Sequence, residues 1–387
     1  MSNAILITGA RSAVALDLSR DFHRLGYTIH TADCSSAYIS KYSKSSDFVH
    51  SYASPVHNAK QFIADITALV KEINPLIIIP TCEEIFHLSR PNLSSVVKDR
   101  IFSPSLNDLH ILHAKDQFII FCNQIGIRTP ETHVIRSCND LSAFFDHSLE
   151  WVFKPCYSRF GAKTIIAPTS KVLNSILPTP QDSWLAQKYI KGQELSFYAI
   201  AHTGKLAALS VYSSKWRLKG GASYVFETSS NEIFNKVKII AKTIAASLNL
   251  TSQFACDMMM DQEGKIWVIE CNPRSTSGIH LLTGTGRLAQ AMLNQNEEVL
   301  YTQNTKRYML PMMLTYGLIT TAKESRWSEW LNTIKSGDDV ISTSKEYLPI
   351  LGSILDTVIF MKHVIKHKMS LQQATTFNIE WNGENLQ

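Results

Sequence analysis

The stretch Ile266-Trp267-Val268-Ile269-Glu270-Cys271-Asn272-Pro273-Arg274 carries an acid and an amide two residues apart, a closing proline and then an arginine. Side chains alternate along a strand, so Glu270 and Asn272 project from one face. The preceding run, Gln253-Phe254-Ala255-Cys256-Asp257-Met258-Met259-Met260, is separated from it by the turn-like Asp261-Gln262-Glu263-Gly264. Together they read as a hairpin. A loop with an even number of residues puts Asp257 on the face of Glu270, directly or diagonally opposite, whereas a bulge would turn it away. Two carboxylates and an amide oxygen converging like this suit a hard divalent cation. Uncompensated, the carboxylates repel by roughly 1 kcal/mol at about 4 Å in water and by more in a cleft. The plain alternative is a polar strand end at the surface. Cys256 and Cys271 fall on the opposite face and read as small core residues.

Further charges suit phosphate. Lys154 ends the run Val152-Phe153-Lys154-Pro155, and the loop Cys156-Tyr157-Ser158-Arg159-Phe160-Gly161-Ala162-Lys163 follows. A lysine beside a basic loop can hold phosphate oxygens, although an exposed hairpin has the same look. The segment Gln187-Lys188-Tyr189-Ile190-Lys191-Gly192-Gln193-Glu194 is extended and then turns. Its backbone could pair with an adenine edge and Glu194 with ribose hydroxyls; a strand–turn–strand with solvent-facing charges reads equally well.

The elements that must position these groups follow from periodicity. Residues 4–8 form an apolar run ending at Gly9, a helix spans about 13–25, and a strand covers 27–32 before Asp33. A helix over about 59–73 leads to a strand over 76–80. This alternation predicts a parallel sheet with helices on both faces, bounded near residue 105. The stretch 107–126 reads helical, then strands are expected over 132–135, 151–154, 164–167 and 185–190, and a helix over 233–248 ahead of the hairpin. This part reads as α+β with mixed or antiparallel sheets. Beyond about residue 300 the chain turns helical, with a late strand over 375–381.

The order Lys115, Lys154 with its loop, Gln187 to Glu194, Asp257 and Glu270-x-Asn272-Pro273-Arg274 resembles the ATP-grasp superfamily over about residues 1–300. The resemblance implies α/β plus α+β architecture: a Rossmann-like pre-ATP-grasp domain (1–105), a first ATP-grasp lobe (106–190), a second lobe with the metal site (191–300) and a mostly helical extension (301–387). It implies ATP and magnesium (or manganese). Lys115, Lys154 and Lys163 would meet phosphates, with the loop from Ser158 to Lys163 closing over them. Gln187 and the backbone of Lys188 and Ile190 would meet adenine, and Glu194 ribose. Asp257, Glu270 and Asn272 would hold metal, and Arg274 would steady the transferred phosphoryl group. Three positions depart from the pattern: Gln187 for a common glutamate, Ala114 for a common aspartate, and a loop with one glycine.

The chemistry so implied is an ATP-dependent ligase joining a carboxylate to an amine through an acyl phosphate, with Arg217 as a further clamp on the substrate. Phosphorylation of bicarbonate or carbamate, as in carbamoyl-phosphate synthetase, is the rival within the class. An NAD(P)-dependent oxidoreductase using Thr8-Gly9-Ala10-Arg11 and Asp33 is another, but the second and third glycines of that fingerprint are missing. A non-catalytic nucleotide-binding regulator is a third. Glu83 and Glu84 could greet an amine or cap a solvated helix.

Composition narrows the field. Of 387 residues 45% are hydrophobic and 18% charged, and the net charge of +5 is spread along the chain. That does not call for nucleic acid. Seven cysteines with no C-x-x-C pair argue against a disulfide framework or zinc site, so a cytoplasmic setting is expected. No membrane segment is expected, since the apolar run 354–365 is interrupted by Asp356, Lys362 and His363. Partners would be small-molecule substrates, with a homodimer contact one use of the helical end.

Overall fold

The computed structural model describes residues 2–386 apart from 160, 162, 219, 220, 296, 297, 344 and 345. Four short strands open the chain: β1 (Ala4–Thr8), β2 (Thr28–Asp33), β3 (Phe48–Ser51) and β4 (Ile77–Pro80). They pair in parallel in the order β3-β2-β1-β4. The first strand, Ala-Ile-Leu-Ile-Thr, is buried throughout, as a strand covered on both faces must be. Ser12 caps the following helix Ala13–Arg24 by accepting from the Ala15 N–H. The edge strand β3 has no counterpart among the sequence expectations, because its Phe48 and Val49 are exposed and it lacks an apolar period.

A second sheet contains β5 (Thr132–Ile135), β6 (Trp151–Pro155), β7 (Ile165–Ile166) and β8 (Trp184–Lys188), in the antiparallel order β5-β8-β6-β7. The third contains β9 (Gly192–His202), β10 (Lys205–Ser213), β11 (Val225–Thr228), β12 (Ser252–Asp261), β13 (Ile266–Asn272), β14 (Lys306–Tyr308) and β15 (Asp338–Asp339). Its order is β13-β12-β9-β10-β11-β14-β15. One face of it packs Leu195, Phe197, Phe254, Cys256 and Cys271 against Val237 and Ile244 of the helix Asn231–Ser247 and Phe118 of the helix Lys115–Gln124. The other face packs Tyr198, Ile200 and Ala255 with Ile5, Ile7 and Phe22 of the first domain. The central sheet is thereby clamped from both sides, which fixes its position relative to the N-terminal strands.

One expectation is refined and two need correction. The stretch read as helical over 107–126 is two helices, Leu106–His113 and Lys115–Gln124, because Ala114 adopts an extended backbone between them. The late strand foreseen over 375–381 is instead a helix, Leu371–Thr376, followed by coil; Ser370 and Gln373 form a reciprocal capping box that starts it. The boundary at 300 cuts the third sheet, which continues through β14 and β15.

The helix Leu348–His367 begins earlier than the apolar run read from sequence. It is long and apolar enough, by length and composition, to cross a membrane, with 22% of its apolar window buried. Asp356, read as an interruption, points inward and accepts from the Tyr38 and Ile39 N–H groups at 2.9 and 2.8 Å.

Candidate active site

Asp257 and Glu270 face each other directly across β12 and β13. The route to that pairing differs from the one expected. Asp261 N–H bonds the Lys265 carbonyl at 3.0 Å, and Gly264 sits at φ 75°, so the loop holds three residues, 262–264, rather than four. An odd loop alone would set Asp257 against Ile269 and send Glu270 into the core. A bulge at Ile269 restores the match, since Met258 pairs with Val268 while Asp257 pairs with Glu270. Two irregularities cancel.

Asn272 completes the group, giving an amide hydrogen to Asp257 Oδ2 (3.3 Å) and accepting at Oδ1 from Arg274 Nη2 (3.3 Å). Lys115 and Lys154, both nearly buried, bring Nζ to 3.6 and 3.7 Å from Glu270 Oε2. They arrive from different elements: Lys115 starts the helix Lys115–Gln124, and Lys154 lies near the end of β6. Lys115 Nζ also donates to the Ser158 carbonyl at 3.0 Å. The two lysines, the two opposed carboxylates and the loop after β6 thus converge on one place.

The electrostatics are graded. Burial and then the facing Glu270 charge push the Asp257 carboxyl above the usual range. Burial acts the same way on Glu270, but the Lys115 and Lys154 ammonium groups hold it below. Burial brings the Lys154 ammonium down to about 8 despite the attraction of Glu270. Among the described residues no group of three or more His, Cys, Asp or Glu could hold a metal. The fit to a hard dication therefore rests on the two opposed carboxylates and the Asn272 amide oxygen, which would hold it. A dication would relieve the repulsion that raises Asp257.

The remaining expected residues divide. Gln187 is buried and donates to Thr132 Oγ1 at 3.1 Å. The Lys188 N–H is already bound to the Glu131 carbonyl (2.8 Å) and its Nζ to Glu150 (2.6 Å), so the N–H half of its backbone is closed to adenine. Ile190 lies in the turn just beyond β8. Glu194 forms an ion pair with Arg217, which also donates to Ser223 at 3.0 Å. Arg217 is thus engaged with the expected ribose acid, and its charge also reaches Asp257, opposing the rise of that carboxyl. Lys163 is exposed beside Thr164 and Ile165, apart from the buried cluster. Phe160 and Ala162 of the same loop, and Lys219 and Gly220 after Arg217, lie outside the described residues.

Residues that the sequence reading passed over complete the site. Ser196, opposite Asp257 on β9, donates to its Oδ1 at 2.7 Å. Alternation from Glu194 was the available signal for it. Gln253 donates to the Pro80 carbonyl at 2.6 Å and accepts from Ser275 (2.5 Å) and Tyr198 (2.9 Å), tying β4 to the β12–β13 hairpin. A polar residue inside an apolar run was the clue there. Glu83 and Glu84 are both buried, which removes the solvated-helix reading. Glu84 accepts from Thr8 (2.8 Å) and the Thr81 N–H (3.0 Å) and is structural. Asp33 binds Arg11 through its backbone N–H (2.9 Å) and guanidinium (2.5 Å), leaving it engaged where a dinucleotide ribose would need it.

Residues 113–278 match the family described as the ATP-grasp domain. The chain carries an ATP-grasp domain. The ATP-grasp fold extends beyond the matched stretch. The chain is similar to biotin carboxylase from Campylobacter jejuni at 13% identity and a TM-score of 0.61, covering 78% of this chain and 73% of that one. It is similar to an L-amino acid ligase from Bacillus licheniformis at 13% identity and 0.57, covering 75% of each chain. A third relative is the biotin carboxylase domain of 2-oxoglutarate carboxylase from Hydrogenobacter thermophilus, solved as a dimer with MgADP, ADP and bicarbonate (13% identity, 0.60, covering 77% and 71%). No curated protein matches the ATP-grasp chain by sequence.

Proposed function

We propose that the protein joins a carboxylate to an amine, forming a carbon–nitrogen bond at the expense of ATP. The carboxylate attacks the γ-phosphorus, giving an acyl phosphate and ADP; the amine then adds to the acyl carbon, loses a proton and expels phosphate. Bringing two anions together is the difficulty, so the site needs fixed positive charge more than an enzyme nucleophile. The observation that carries this reading is the convergence of Lys115, Lys154 and the Asp257–Glu270–Asn272 set in one cleft. Lys115 and Lys154 would hold phosphate oxygens, and Asp257, Glu270 and Asn272 the Mg2+ that neutralises them. Arg274 would steady the phosphoryl group in transfer. Gln187, the Lys188 carbonyl and Ile190 would border adenine, and Glu194, paired with Arg217, the ribose.

The two-part N-terminal assignment belongs to the same proposal: a Rossmann-like domain presenting Glu83 toward Arg274, whose Nη2 lies 4.0 Å from it. The amino acid ligase likeness favours a carboxylate–amine reaction; the bicarbonate in the Hydrogenobacter complex keeps phosphorylation of bicarbonate as the second reading. Replacing Glu270 with alanine should abolish Mg2+-dependent ADP release from ATP in a screen of carboxylates crossed with amines. Turnover retained in that variant would remove the metal role assigned to Glu270.

A further inference from the structure

The end of the chain returns to the active site. From the last turn of the helix Leu371–Thr376 onward it crosses the C-terminal edge of the first sheet, one contact at a time. The Thr375 carbonyl accepts from Arg11 (2.9 Å), the Asn378 carbonyl from Ser54 (2.8 Å), and the Glu380 carbonyl meets His87 Nε2 at 3.1 Å. The Trp381 N–H then donates to Glu83 Oε2 at 3.3 Å.

Trp381 is buried, stacked on Phe86 with ring centres 4.7 Å apart and facing His113 at 6.0 Å. Its indole N–H closes a turn on the Glu384 carbonyl (2.8 Å). Gly383 adopts φ 89°, and a Cβ there would lie 2.7 Å from the Tyr157 hydroxyl, so the turn is seated directly on the phosphate loop.

Arg159, on that loop, is the counterpart. Its Nη2 donates to the Trp381 carbonyl (2.6 Å), its Nη1 to Asn382 Oδ1 (2.8 Å), and its Nε to Glu83, with Glu380 a further 3.7 Å partner. One residue earlier, the Ser158 carbonyl takes the Lys115 ammonium. The loop stem is therefore gripped from the nucleotide side by Lys115 and from the far side by the chain terminus.

We propose that residues 378–384 form a strap that pre-organises the phosphate site, with Arg159 a positioning residue rather than a phosphate ligand. Through Arg159 the strap fixes the loop, and through the Trp381–His113 contact it braces the residue two positions before Lys115. Ordering a chain segment costs conformational entropy, so a stem already held binds nucleotide more tightly than a free one. The planar fork of arginine suits this task, since it reaches a carbonyl, an amide oxygen and a carboxylate at once. The inference rests on the reading of the cleft as the ATP site.

Calorimetric titration of the full-length protein with MgADP tests it, beside the melting temperature without nucleotide. Arg159→Ala should weaken MgADP by about tenfold, the equivalent of ordering one loop residue, and Arg159→Lys by less. Asn382→Ala, which removes a strap atom, should weaken it in the same direction, and the Arg159→Ala/Asn382→Ala double variant should be no worse than Arg159→Ala alone. Loss of affinity in Arg159→Ala with full affinity in both Asn382→Ala and Trp381→Phe would make Arg159 a direct ligand and overturn the strap. Unchanged affinity in all of them would overturn it too. Should Arg159→Ala fail to fold, Asn382→Ala and Trp381→Phe decide alone. A wild-type protein that ignores MgADP would instead refute the ATP reading itself.

Discussion

Lys154 shows how a single residue is set to its task. Its ammonium is buried beside Lys115 and answered by Glu270, and burial brings its pKa to about 8. Only the protonated form attracts phosphate, so affinity for MgADP should hold below pH 8 and fall as pH rises through about 8, approaching a tenfold loss per unit well above it. Lys154→Arg, which stays charged throughout, should flatten that decline. Titrations on both sides of pH 8 check this, and a flat wild-type profile would place Lys154 away from phosphate. The identity of these groups was legible early, because Lys154, Glu270 and Asn272 sit near strand ends, Asp257 within β12 and Arg274 just past β13, and each stands out against an apolar run. Ser196 and Gln253 carried a weaker signal, alternation from Glu194 and a polar residue inside an apolar run, and their roles emerge only with their partners across the fold.

The β12–β13 hairpin shows the limits of reading an element from its own residues. Alternation correctly put Glu270 and Asn272 on one face and the cysteines on the other. The pairing with Asp257, however, depends on a three-residue loop and a compensating bulge, and neither is written in the alternation. The opposite edge of β12 rests on β9, which begins at Gly192; a Cβ there would lie 2.0 Å from the Met260 carbonyl oxygen. That atom belongs to backbone and cannot swing aside. Gly192→Ala should therefore destabilise the protein by about 2 kcal/mol or more, seen as a lower urea midpoint. It should also weaken MgADP, since Glu194 follows two residues on. An unchanged midpoint would mean that β9 starts free of β12.

Across the whole molecule, docking surfaces bring the site together. The C-terminal helix Leu348–His367 is fastened to the N-terminal domain at Gly352, whose Cβ position lies 2.4 Å from the Tyr38 carbonyl, and at Asp356 one turn later. Asp356 serves as acceptor for two N–H groups at the start of the short helix Tyr38–Lys41. Asp356→Ala strands those donors and should cost about 1–3 kcal/mol. Hydrogen exchange should quicken along residues 348–367; equal protection in the variant would show that the apolar contacts alone hold the helix. Much of the outer side of this helix remains apolar and exposed at Leu351, Ile354 and Val358. Length and composition do not distinguish such a surface from a membrane span, and Asp356, read as an interruption, is instead an inward acceptor.

Periodicity and the order of charged residues along the chain determined, without coordinates, an α/β start, a sheet-rich middle and one family of nucleotide chemistry. These are properties of neighbours in sequence, and the backbone's own repeat imposes them. Tertiary structure alone decided that Arg217 meets Glu194, that Asp33 belongs to Arg11, and that residues 378–384 lie against the loop holding Arg159. Those partners are distant along the chain or lie on separate elements. Their meeting depends on how finished surfaces pack and exclude water, and no local period encodes that.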